Sequence, residues 1–363
     1  MDRRSFIVTG ASLAAAALTV SACGTRTGSG AGGDGSAKVV KIGVIAPLTG
    51  DNAAIGLGIR NAADLAVKQA NQQNAIPGWR FELAPEDDQA QPESGRNAAT
   101  KLTGDAEVAG VIGPFNSSVG QAVQPVLDSA GIPLISPGNT NPSLTRGPDL
   151  ANPKRTYPTY FRTCTTDDVQ GPFAAKYLLD NGIDQVATIH DKKAYGQGLV
   201  TAFSDYYSKN GGTIVAAETI NPEDKDFAAV ISKVRGTNPK VVYYGGEYGQ
   251  GGPLSQQMKG AGLNVPLMGG DGIFDPKFIE LAGSNSNGDL ATSVGAPVES
   301  LESAKAFVAA YNAEGYRDPY AAFGAYSYDA TNALITALKT TLPEAGDPAK
   351  ARAATVKALA STD

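Results

Sequence analysis

The chain has 363 residues, 42% of them hydrophobic and 18% charged, with a formal net charge of −6. That length fits two lobes of ordinary domain size better than one. The acidic balance, with no basic block, argues against nucleic acid as a partner, and the single histidine, His190, argues against most histidine-dependent catalysis and multi-histidine metal sites.

The first segment in chain order reads as an address rather than a fold. A charged start (Asp2, Arg3, Arg4) leads into an apolar run from Phe6 to Val20, then small residues, then Cys23. This is the pattern of an export signal, and the run falls short of the roughly 20 apolar residues that span a bilayer. The stretch Leu18-Thr19-Val20-Ser21-Ala22-Cys23 resembles the lipobox of bacterial lipoproteins. That resemblance implies a diacylglycerol on the Cys23 thiol, a cut before it, and acylation of the new amine. An ordinary secretory cleavage beside an incidental cysteine is the alternative. Arg3-Arg4 followed by Ser5-Phe6-Ile7 also looks like a twin-arginine motif, and paired arginines occur in ordinary signals too, so the export route stays open. Residues 1–22 thus read as a signal peptide and 23–37 as a lipidated, Gly/Ser-rich tether. Without residues 1–22 the chain carries 35 acids and 28 bases. With Cys23 lipidated, Cys164 lacks a partner for an intramolecular disulfide and reads as a small buried hydrophobe.

Beyond the tether, strand and helix patterns alternate. Residues 38–46 form a β-branched strand run, and 53–71 have helical spacing through Ile59, Ala62, Ala63, Ala66 and Ala70. Residues 80–84 are strand-like, 92–102 helix-like, 108–112 a strand, 117–130 a helix and 132–135 a strand. The rhythm restarts after Tyr160-Phe161-Arg162, with helices over 170–179 and 198–209. Strands follow at 186–189, 213–218, 241–244 and 266–268. Residues 288–295 are extended, a candidate crossing between lobes, and 303–342 are largely helical. The expected fold is α/β, two lobes that are each a mainly parallel sheet flanked by helices, with a ligand cleft between them. The expected parts are 38–166 and 296–363 for the first lobe and 167–295 for the second.

The loops at the strand ends carry the chemistry. Ser117 and Ser118 are natural N-cap residues, and a helix start offers free amides and a positive dipole end to a small carboxylate. A plain cap with no ligand is the simpler reading of Ser117 alone. Gly138 permits close backbone approach and Thr140 offers a hydroxyl. In the second half, the strand ends lead into His190-Asp191-Lys192-Lys193-Ala194-Tyr195-Gly196, Gly245-Gly246-Glu247-Tyr248 and Gly269-Gly270-Asp271-Gly272. Asp271 is either a turn carboxylate or, across a cleft from a helix start, a partner for an ammonium. An α-amino acid carries both charges.

The stretches Ile189-His190-Asp191-Lys192, Tyr195-Gly196-Gln197-Gly198, Lys225-Asp226-Phe227 and Tyr243-Tyr244-Gly245-Gly246 resemble the leucine/isoleucine/valine-binding proteins of bacterial ABC importers, collinearly from about Lys41 onward. The resemblance implies the type I periplasmic-binding-protein fold, three crossings between lobes and closure around an amino acid. By position it implies that Ser117, Gly138 backbone and Thr140 bind the ligand carboxylate and Asp271 the ammonium. Tyr195 and Phe323 line the cleft, and Asp167 lies near a polar position at the crossing. The family usually has glutamate where Asp271 stands, a reach about 1.5 Å longer. Ile55 and Glu247 stand where the relatives have tyrosine, and Tyr248 is placed to supply the missing ring. A buried Glu247 needs water, a lysine or arginine, or a cationic ligand group. The family also continues with a further strand and crossover after the equivalent of Asp363.

The resulting expectation is an extracytoplasmic solute-binding lipoprotein, anchored to the cell membrane through acylated Cys23. It captures a branched-chain or other aliphatic amino acid for a membrane permease, as a monomer without cofactor, catalysis or metal. Alternatives are a short-amide or urea receptor of the same fold, a ligand sensor, and an extracellular amidase. The last lacks a serine or cysteine paired with a histidine base.

Overall fold

The computed structural model describes residues 37–362. The signal, the tether and Cys23 therefore lie outside the described residues. The first half runs β1 (Lys38–Ala46), α1 (Ala53–Gln72), β2 (Trp79–Asp87), α2 (Pro92–Thr103), β3 (Val108–Ile112), α3 (Ser117–Ser129), β4 (Leu134–Ser136), α4 (Ser143–Arg146) and β5 (Tyr160–Arg162). All pairings are parallel, in the order β2-β1-β3-β4-β5. Every residue of β3 is buried, as expected of a central strand covered on both faces. Helix α1 turns Ile55, Ile59, Ala62, Ala63, Ala66 and Ala70 inward at the 3.6-residue period of one helical face.

The second half repeats the plan. It comprises α5 (Asp167–Asp180), β6 (Gln185–His190), α6 (Ala194–Lys209), β7 (Thr213–Thr219), α7 (Ala228–Arg235), β8 (Val241–Gly245), α8 (Tyr248–Gly260), β9 (Leu267–Gly269), α9 (Pro276–Ala282) and β10 (Leu290–Ala291). Its strands are again all parallel, in the order β10-β9-β8-β6-β7. Read from the other edge, this is the same strand order as the first sheet. Both sheets reverse direction beside their first strand, and the crevice at such a switch point is where open α/β sheets bind ligands.

The chain then returns to the first lobe through α10 (Lys305–Glu314), α11 (Gly324–Ala345) and α12 (Pro348–Ala360). Ser327 donates to the Ile59 carbonyl at 2.8 Å, and Arg352 donates to the carbonyls of Val108 and Asp105. Two crossings lie within the described residues, after β5 and after β10; the family resemblance implies three.

Three expectations need correction. The helical stretch 303–342 is broken between α10 and α11, because Gly315 caps α10 in the left-handed region (φ 70°) and the chain resumes helix only at Gly324. Within 288–295 only Leu290 and Ala291 form strand, paired to β9 inside the second sheet, so the crossing begins later. Helix α6 also starts at Ala194, four residues before the expected start. A Cβ on Gly196 would lie 2.3 Å from the Gly245 carbonyl oxygen, and one on Gly245 would lie 2.2 Å from the Gly196 oxygen. Two glycines thus let the first turn of α6 pack backbone to backbone on the end of β8.

Candidate functional site

On the first lobe the site forms around the start of α3. Its N-cap is Asn116, not Ser117 or Ser118, and Asn116 makes no side-chain capping hydrogen bond. Ser117 instead occupies the first helical position, where its buried hydroxyl accepts from the Asn141 amide at 3.3 Å. The hydroxyl of Ser118 accepts from the Ala194 amide of the second lobe at 3.1 Å. The backbone amides of residues 117–119 make no hydrogen bond among the described residues, so the helix start keeps its donors and positive dipole end free. Thr140 is fully buried, and its hydroxyl lacks a hydrogen-bond partner among the described residues.

The apolar wall also belongs to the first lobe. Phe115 and Phe323 meet edge to face, with ring centroids 4.9 Å apart. Gly138 lies against this pair; a Cβ there would sit 2.7 Å from the Phe115 ring. Ile55, in the first turn of α1, is fully buried.

On the second lobe, Tyr195 in the first turn of α6 donates its hydroxyl to Asp271 Oδ1 at 3.0 Å and accepts from the Gly272 amide. The Asp271 amide donates to Gln170 Oε1, which also accepts from Thr292. Burial pushes the Asp271 carboxyl up to about 6, against the lowering effect of neighbouring Gln170 and of the Tyr195 hydroxyl. Asp167, at the start of α5, is fully buried, and neither carboxylate oxygen has a hydrogen-bond partner among the described residues. Burial, and then the charge of Asp271, hold its carboxyl well above the usual range. Gln170 Nε2 and the Tyr243 hydroxyl are also buried without partners. Asp167 is therefore no weaker a candidate than Asp271.

Glu247 takes one of the three routes open to a buried carboxylate. It is 1% exposed, and its Oε2 lies 3.0 Å from Lys193 Nζ while its Oε1 accepts from Asn116 Nδ2 at 2.7 Å. Beside it, Asp191 is fully buried and accepts from the Lys193 amide at 3.0 Å. Burial and the charge of Glu247 push the Asp191 carboxyl up to about 8. Tyr248 follows on α8; burial raises its hydroxyl, while the amides of Ala54 and Ile55 in the first lobe pull the other way. Its ring does lie at the lobe junction. At the cleft mouth a cavity of 720 Å³ is lined by Ser118, Asn141, Asp167, Lys193 and Gly198, among others.

Sequence reasoning missed Asn116, Gln170 and Lys193 as site residues. Lys193 stood in the strand-end loop already singled out, while Gln170 lay at the start of an expected helix and gave no signal of its own.

Two parallel-sheet lobes carry polar loops at both switch points, the places where open α/β sheets bind ligands. The chain matches the Periplasmic binding protein family over residues 39–363 and belongs to it. Among curated relatives, the Leu/Ile/Val-binding protein BraC3 of Rhizobium johnstonii is 36% identical over 315 residues, covering 86% of this chain and 82% of its own. Leu/Ile/Val-binding protein homolog 3 of Brucella melitensis is 38% identical over 256 residues, covering 70% and 67%. Among solved structures, the branched-chain amino acid transporter substrate-binding protein LivJ of Streptococcus pneumoniae, in complex with isoleucine, superposes with a TM-score of 0.76 at 28% identity, covering 88% of each chain.

Proposed function

We propose that this protein is the extracytoplasmic solute receptor of an ABC importer, tethered by lipid on Cys23, and that it captures a branched-chain or other aliphatic α-amino acid. The carrying observation is a pair of buried acids that no cation of the described residues meets, Asp167 with both oxygens empty and Asp271 bonded to the Tyr195 hydroxyl, in the same cleft as a helix start with free amides. An uncompensated buried carboxylate is destabilising, by several kcal/mol in rough terms, until a cation meets it. An ammonium brings three donors to the acids, while the α3 amides and the hydroxyls of Ser117 and Thr140 suit a carboxylate. Ile55, Phe115 and Phe323 offer an apolar wall to the ligand's side chain. The relatives named Leu/Ile/Val-binding proteins, and the isoleucine-bound LivJ, support this class of ligand.

Closure around the ligand favours the form that a membrane permease receives, so the ligand's differential affinity for the closed state drives delivery. The lobe boundaries 38–166, 167–295 and 296–363, and a monomeric state, belong to the same proposal. Isothermal titration with leucine, isoleucine and valine, and with their amides and N-acetyl derivatives, tests it. The free amino acids should bind and the blocked forms should not. Equal affinity for leucine and leucinamide would refute the two-ended grip.

A further inference from the structure

Three helix starts converge where the lobes touch. Asn116 is the N-cap of α3, Lys193 of α6 and Glu247 of α8, and none of the three side chains caps its own helix. They bind one another instead: Glu247 accepts from Asn116 through one oxygen and from Lys193 through the other. Asn116 belongs to the first lobe and the other two to the second. Two more bonds cross the lobes at the same place, Ala194 N to Ser118 Oγ and Asn141 Nδ2 to the Ala194 carbonyl at 2.7 Å.

This meeting carries an electrostatic penalty that something must offset. The starts of α3 and α6 each present a positive dipole end, and closure brings them together. The cation of Lys193 adds to the same sign. Glu247 is the anion bound at that junction, and it is buried there with both oxygens satisfied. Asp191, the other acid nearby, keeps one carboxylate oxygen without a partner among the described residues, while the other accepts from the Lys193 amide of its own loop.

We infer that Glu247 is a positioning residue that latches the lobes together, joining the starts of α3 and α6 through Asn116 and Lys193 whether or not the cleft is filled. It acts on the ligand site through Asn116, which adjoins Ser117, and not by contact with the ligand's side chain. The inference deepens the proposed receptor function and rests on its two-lobed closure.

Hydrogen exchange measured by mass spectrometry on the full chain tests it. The Ala194 amide sits at the first position of α6, where no intrahelical acceptor exists, so its protection reports the bond to Ser118 across the lobes. In the ligand-free protein, peptides spanning 190–199 and 115–123 should be protected. Glu247→Gln, which places an amide against Lys193, should speed their exchange about tenfold, leaving peptides from β3 and β8 unchanged. Asn116→Ala removes only the first-lobe half of the latch and should give the same local effect; it is the variant read if Glu247→Gln loosens the β3 and β8 peptides as well. No change at 190–199 and 115–123 in either variant overturns the latch, as does a ligand-free wild type without protection there. Leucine is added as a separate arm. If it leaves wild-type exchange unaltered, that counts against leucine as the ligand and not against the latch.

Discussion

The cleft holds two sets of buried carboxylates that differ in one respect. Asp167 and Asp271 are surrounded by polar groups that leave them without a cation, whereas Glu247 is satisfied by a lysine and an amide of the protein itself. Both sets follow strand ends or start helices on the second lobe, and both are removed from water. The contrast teaches that burial alone does not mark a ligand contact: the carboxylate that awaits a partner is the one that no cation of the protein meets.

The most severe break in this comparison is Asp271→Asn, which removes the anion while keeping the side chain's size. Leucine affinity should fall by more than about 100-fold, corresponding to roughly 3 kcal/mol for breaking a buried charge pair; calorimetry reads it directly. Acid does the same to the native side chain. With the Asp271 carboxyl raised to about 6, the anion is present above that pH and lost below it, so affinity should weaken by about tenfold per pH unit below 6. Titrations in buffers of different ionisation enthalpy should detect a proton released on binding near pH 6.

Asp167→Asn should sharpen the comparison by moving stability and affinity in opposite directions. A carboxyl whose folded value is held well above its ordinary 3.8 weakens the fold progressively as pH rises from about 4 toward that raised value. Removing it should raise the ligand-free melting temperature by about 2–4 °C at pH 7.5, an advantage that disappears by about pH 4 on scanning calorimetry. Leucine binding should weaken by about tenfold in the same variant. The smallest effect belongs to Asp191→Asn. Because that carboxyl is pushed up to about 8, it is already largely protonated at pH 7, and the substitution should change stability by less than about 0.5 kcal/mol in a urea titration at that pH.

Most of the fold was legible because its cues are local. The β-branched runs at 38–46, 108–112 and 241–244 lie within strands, and the period of α1 marks its buried face. Chain breaks that depend on backbone approach were less visible. The early start of α6 needs Gly196 and Gly245 to face each other across 49 positions of sequence, which no window of neighbouring residues displays. For the site, the loops were found but their internal accounting was not. Family position pointed to Ser117 and Asp271, and the requirement that a buried acid find a partner left Glu247 with three outcomes: water, a lysine or arginine, or a cationic ligand group. That the lysine is Lys193, and that Asn116 leaves its own helix uncapped to join them, are tertiary facts. The expected Ser117 cap failed for a related reason: the chain turns into helix at the serine itself, one residue earlier than a cap there requires.

The glycine pair Gly196–Gly245 has a mechanical outcome. With no side chain between them, the first turn of α6 and the tip of β8 touch main chain to main chain and have no room to slide. Lys193 and Glu247 extend from either side of this weld, so their spacing survives any swing of one half of the molecule against the other. One jaw therefore carries a finished clasp, and each swing need only bring Asn116 back to it.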